Sequence, residues 1–192
     1  MNRRDFCKAG IGALAVGVGA AISDQAGQAA GSGRAQGDAS SDALAREAGR
    51  VFLAESKTCG EAILAAGCKA LGIESKLVPD IALGISGGVG LQGDVCGVVT
   101  GASMAISLAV ALRQSDYVKK RQLAWDRVGK FYRDFAAKHG SVDCRRLCGL
   151  DLTTPEGMAA LKDRVKKETC SKLVDSASRM LAAVLHRIDR TA

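Results

Sequence analysis

The chain has 192 residues, few aromatics and abundant alanine and glycine, which points to one domain of closely packed helices and away from a sandwich of strands. Its net charge of +7 comes from basic residues interleaved with acids, as where Lys119, Lys120 and Arg121 stand between Asp116 and Asp126. That is the pattern of a solvated helix face, and no nucleic-acid motif accompanies it, so nucleic acid is not an expected partner.

The N-terminus reads as an export signal. Asn2-Arg3-Arg4-Asp5-Phe6-Cys7-Lys8 is a twin-arginine region, followed by an uncharged Ala/Gly/Val segment from Ala9 to Ser23. At about fifteen residues that segment is shorter than the roughly twenty needed to span a bilayer. Gly27-Gln28-Ala29 offers a small-residue cleavage site, so residues 1–29 are expected to be removed and the mature chain to have no membrane span. Cleavage there leaves 24 basic against 18 acidic residues and six cysteines: Cys59, Cys68, Cys96, Cys144, Cys148 and Cys170. Twin-arginine export carries folded proteins, often with a metal cofactor already installed, and the expected location is periplasmic. Ala30 to Ser41 reads as a flexible linker and residues 42–192 as the helical, cysteine-rich redox domain.

Along that domain, Asp42 to Leu53 has the apolar spacing of a helix. Thr58-Cys59-Gly60-Glu61 is a capping box that starts a second helix, closed by Gly72. Cys59 then lies in a first helical turn, and Cys68, about 180° further round, faces elsewhere as a core residue. Lys76 to Leu83 predicts a short helix feeding a glycine-rich turn, Gly84 to Gly93. Beyond it Gly97 to Leu112 carries no charge, and Gly97, Gly101, Ala105 and Ala109 recur at every fourth position. Such a small-residue ridge belongs to a buried central helix that other helices approach closely. Asp94 is the expected N-cap, which puts Cys96 in the first turn.

A long amphipathic helix follows from Ser115 or Asp116 to Lys138, ended by His139-Gly140. Asp143-Cys144 opens a short helix with Cys148 on the same face, and Thr154-Pro155 opens another. Thr169-Cys170 opens or re-caps the last. His139 and His186 read as a helix-end and an exposed terminal-helix residue without ligand-spaced partners. The expected fold is all-α, a compact bundle of six or seven helices with the glycine-rich loop before the central one.

Cys59, Cys96, Cys144 and Cys170 thus each sit beside a capping residue near an expected helix start. A helix N-terminus favours thiolate over thiol, and thiolates from several helices can converge at one end of a bundle. The first reading is an exported redox-active, electron-transfer protein in which these four bind an iron–sulfur cluster, with zinc as the alternative metal and Cys148 as a further ligand. Gly87, Gly88 and Gly90 would donate backbone N–H groups to sulfur. The same cysteines could instead form a thiol–disulfide couple, with Cys96 attacking and Cys59 or Cys144 resolving. A non-catalytic helical module stapled by zinc or disulfides is the third reading. There is no C-x-x-C and no C-x-x-C-H, so a thioredoxin-type motif and covalent haem are not expected. Gly88-Val89-Gly90-Leu91-Gln92-Gly93 matches the dinucleotide fingerprint, but no strand pattern precedes it, so no nucleotide is expected.

Several of these blocks are familiar together. Cys59-Gly60-Glu61-Ala62, Gly87-Gly88-Val89-Gly90, Cys96-Gly97-Val98-Val99-Thr100-Gly101-Ala102, Cys144-Arg145-Arg146-Leu147, Asp151 to Gly157 and Cys170 resemble the C_GCAxxG_C_C family of redox-active proteins, over roughly Ala45 to Leu185. The resemblance implies recurrent cysteines at Cys59, Cys96, Cys144 and Cys170. A similar domain accompanies haem and an iron–sulfur site in split-Soret cytochromes. Glu61 and Cys148 depart from the pattern, where small or amide and aliphatic residues are usual. The expected partner is a redox protein of unspecified identity, with homo-oligomerisation also open.

Overall fold

The computed structural model describes residues 39–190; the twin-arginine signal and most of the linker lie outside them. Among the described residues there are seven helices and no strand. Among the described residues the extended pairing is an isolated antiparallel bridge between Val95 and Asp143. None of these helices is long and apolar enough to cross a membrane.

Helix α1 covers 39–49 and runs into a π-helical stretch, Arg50–Ala54. It begins three residues before the expected Asp42, so the end of the presumed linker is helical. Helix α2 is Cys59–Ala70, opened by the expected capping box: the Thr58 hydroxyl accepts from Glu61 N–H while the Glu61 carboxylate accepts from Thr58 N–H. Residues 76–83 are not one helix. Turns there lead into a 3₁₀ segment, Asp80–Ile85, and then a single turn at Ser86–Val89.

Helix α3, Gly97–Arg113, is the hub, packing on α2, on α4 (Tyr117–His139) and on α7 (Ser171–Arg190). Asp116 caps α4 and left-handed Gly140 ends it, as the sequence indicates. Short helices α5, Cys144–Cys148, and α6, Pro155–Ala160, follow. From α6 the chain continues through a π-helical stretch, Leu161–Cys170, directly into α7. Cys170 therefore opens no helix: Ser171 after it keeps right-handed helical angles, and backbone hydrogen bonding runs through the junction. The thiol sits mid-helix because Thr169 never leaves helical geometry to act as a cap.

The seam between α2 and α3 is built from the expected ridge. A Cβ on Gly101 would stand 2.6 Å from the Gly60 carbonyl oxygen, and one on Gly67 would stand 2.6 Å from the Ala105 methyl. Ala102, Ala105, Ile106, Ala109 and Val110 are fully buried along the same helix. The helices touch through backbone, where even one methyl has no room. Gly101→Ala sets a helix-propensity gain of about 1 kcal/mol against a clash with unyielding backbone. The clash wins, and the variant is expected to lose roughly 1–3 kcal/mol of stability in urea unfolding; an unchanged or raised midpoint would refute the backbone seam.

Candidate functional site: a chain of thiols

Three thiols meet where the α2–α3 seam ends. Cys59 is the first residue of α2, and its neighbour Gly60 is pinned when its N–H donates to Ser86 Oγ at 3.1 Å. Ser86 Oγ in turn donates to Thr58 Oγ at 2.7 Å, which ties the 3₁₀ segment to the α2 cap. A Cβ on Gly97 would lie 2.5 Å from Cys59 Sγ, so the sulfur rests on a bare backbone position of α3.

Cys96 is brought in by the glycine turn. Gly87, Gly88, Gly90 and Gly93 all have left-handed φ, which lets the chain reverse within a few residues. At Gly88 the requirement is strictest, since a Cβ would stand 2.4 Å from Asp94 N. The returning segment clasps α5: Cys144 N–H donates to Asp94 O at 2.7 Å, Arg145 N–H to Gly93 O at 3.0 Å, and Cys96 N–H to Val142 O at 2.8 Å. The free N–H groups of the α5 first turn are thereby satisfied by the turn's carbonyls. Arg145 then forms a bidentate pair with Asp151, and the Thr153 N–H and hydroxyl also donate to that carboxylate.

Cys96 is the N-cap of α3; Asp94, the expected cap, instead lends its carbonyl to α5. The Cys96 side chain is within hydrogen-bonding reach of both Cys59 and Cys144. The proton order is the reverse of the one the sequence suggests. Contacts with Cys144 and Cys59, together with burial, push the Cys96 thiol well above its ordinary pKa. Cys96 therefore keeps its proton, a single S–H that serves one neighbouring sulfur at a time. Cys59 is lowered to about 7, chiefly by the Cys96 hydrogen bond, with backbone N–H groups of Gly87 and Gly60 and the Ser86 side chain assisting against burial. Cys144 is lowered as well, again mainly by Cys96.

The remaining thiols stay protonated. Burial raises Cys148, whose Sγ lies 3.9 Å from Leu150 O, and raises Cys170 to about 12, with negative charge on the acidified Cys59 and Cys144 adding to the effect. A cavity of about 180 Å³ opens onto Cys59, Cys144, Cys148 and Cys170, with Lys166 on its wall. Cys96 is buried beneath Cys59 rather than lining that cavity. Cys68, as expected, is a core residue elsewhere.

All six described cysteines are free thiols. Thiolates are the donors that zinc or an iron–sulfur cluster takes. Among the described residues, however, no group of three or more His, Cys, Asp or Glu is arranged to hold a metal ion. Of the three glycines singled out, Gly87 donates to Cys59, whereas Gly90 N–H goes to Gly84 O and Gly88 serves the close approach to Asp94. Ser86 and Thr58 are site members that periodicity did not signal; Thr58 was marked only as a cap. His139 is likewise more than a helix end, its ring 4.4 Å from that of Phe135 and its Nε2 2.9 Å from Ser176 Oγ, and His186 is half-buried rather than exposed.

A family model described as "Putative redox-active protein (C_GCAxxG_C_C)" matches residues 57–184, two thirds of the chain. The chain belongs to this family. The match begins just before the Thr58 cap and takes in every cysteine of the site, so the C_GCAxxG_C_C domain and the thiol chain coincide. No curated protein and no solved structure matches it.

Since only the thiolate reacts with alkylating agents, modification of Cys59 is expected to switch on as pH rises through about 7, with the thiol protonated and slow below that value. Cys96→Ala removes the principal donor and is expected to move the midpoint upward. Peptide-resolved iodoacetamide rates give both numbers, and a Cys59 midpoint near 9 in the unaltered chain would contradict the arrangement.

Proposed function

We propose that this C_GCAxxG_C_C protein is an exported redox protein that exchanges its thiols with a disulfide of a partner protein. The supporting observation is the Cys59–Cys96–Cys144 hydrogen-bonded chain, in which one thiol is acidified and faces a cavity while its neighbour is buried and holds a proton.

The Cys59 thiolate attacks one sulfur of the partner disulfide; that S–S bond breaks and a mixed disulfide forms. The first partner thiolate leaves and takes up a proton from solvent. Cys96 then passes its proton to the neighbouring, acidified Cys144, which enters this step in its thiolate form, and attacks the Cys59 sulfur. The second partner thiol departs, protonated in its turn, and a Cys59–Cys96 disulfide remains. Two thiols have been oxidised and one disulfide reduced, so electrons and atoms balance. The twin-arginine pattern at Arg3 and Arg4 supports export, and an exported location is where disulfide-bearing partners persist.

A competing reading keeps the sulfurs as ligands of an iron–sulfur cluster or zinc. It is favoured by the gathering of five cysteines where a dithiol couple uses two. One experiment separates them: anaerobic purification with iron, zinc and sulfide analysis, then thiol titration before and after mild diamide oxidation. The thiol reading expects metal-free protein that loses two titratable thiols, mapped to Cys59 and Cys96. Stoichiometric iron and sulfide that vanish in Cys59→Ser would replace it with the cluster reading.

A further inference from the structure

A large surface feature lies away from the thiol chain. Along the C-terminal half of α3 a groove of about 800 Å³ opens between α3, α4 and residues 73–81, and none of the five site cysteines lines it. Its floor includes Met104 and Leu108. Its walls are Leu77 and Ile81 on one side and Tyr117 and Trp125 on the other, which are 67%, 57%, 69% and 61% exposed. Four large apolar side chains held open around one groove are unusual on a surface that has nothing to bind.

The polar chemistry of the groove is one-sided. Ser103 and Ser107, which line it, donate their hydroxyls to Val99 O and Ser103 O of their own helix and are thereby satisfied. The charged lining residues are Lys120 and Arg121. The Arg121 guanidinium stands over the rings of Trp125 at 4.9 Å and Tyr117 at 5.8 Å, so the two rings hold it at the mouth. Helix α4 as a whole carries seven Lys and Arg against two Asp. A second copy docked about a two-fold axis would set this positive face against itself. An anionic occupant meets no such repulsion.

We propose that the groove binds a long-chain carboxylate, its apolar chain lying between Met104, Leu108 and Trp125 and its head paired with Lys120 and Arg121. The volume is that of a small-molecule site, apolar with a few convergent polar groups. The assignment rests on no part of the thiol chemistry.

Trp125 is the chain's one tryptophan, so its emission reports this groove. Titrating the full chain with palmitate, below its aggregation range, is expected to change that emission saturably. Hexadecanol, which keeps the chain and lacks the charge, is expected to bind at least about tenfold more weakly. The double variant Lys120→Glu/Arg121→Glu is expected to lose about tenfold for palmitate and little for hexadecanol. Should that variant not fold, the palmitate–hexadecanol comparison on the unaltered chain decides. Absence of a saturable palmitate response, or equal affinity for the two ligands, overturns the proposal. A Trp125 change on raising protein concentration alone, with a dimer in sedimentation velocity, also overturns it and gives the groove to a second copy. Unchanged palmitate binding in Cys59→Ser keeps this result separate from the fate of the redox reading.

Discussion

The direct backbone contact of α2 and α3 governs the rest of the molecule. Where Gly60 meets Gly97 and Gly101, and Gly67 meets Ala105, the two helices are separated by little more than their own main chains. Side chains at these positions would hold the axes apart, and helices so spaced could not bring the first residue of α2 over the start of α3. Because they are absent, Cys59 Sγ comes to rest on Gly97, and Ser86 is wedged against Gly60 with its hydroxyl as the hinge of the α2 cap. Packing thus becomes chemistry at one end of the seam: the same lack of Cβ atoms that tightens the core sets the distance between sulfurs.

A second constraint acts at the end of the seam. The glycine turn reverses the chain through left-handed positions and presents the Gly93 and Asp94 carbonyls to the first turn of α5. That clasp satisfies donors a five-residue helix would otherwise leave open, and it holds Cys144 beside Cys96. The central thiol is consequently flanked by two others in a buried setting. Desolvation there penalises every thiolate, and the hydrogen-bond geometry decides which group escapes the penalty. Cys59 escapes because N–H groups of Gly60 and Gly87 and the Cys96 thiol all point at it; Cys170, with burial dominant and neighbouring negative charge, does not.

Local structure was largely legible in the order of residues. Thr58 with Glu61, Asp116, Thr154 with Pro155 and Gly140 mark helix ends by chemistry that acts over three or four positions, and the four-residue ridge of α3 announced its close neighbour. Legibility failed where the signal was one residue deep. Thr169 has the side chain of a cap but sits in unbroken helical backbone, and Asp94 has one too but spends its carbonyl on α5. Cap preference is a tendency of about 1 kcal/mol, which tertiary contacts readily override.

The amino-acid order alone therefore fixed an all-helical domain, the bare seam through its middle and the set of cysteines near its chemistry. The three-dimensional arrangement alone decided which of those cysteines touch, that Cys96 keeps its proton while Cys59 and Cys144 are acidified, and that an open apolar groove lies along the far half of α3. The reason is range. Caps and periodicity act between near neighbours along the chain, whereas the acidity of a thiol depends on donors and solvent within a few ångströms, brought there by segments far apart in sequence.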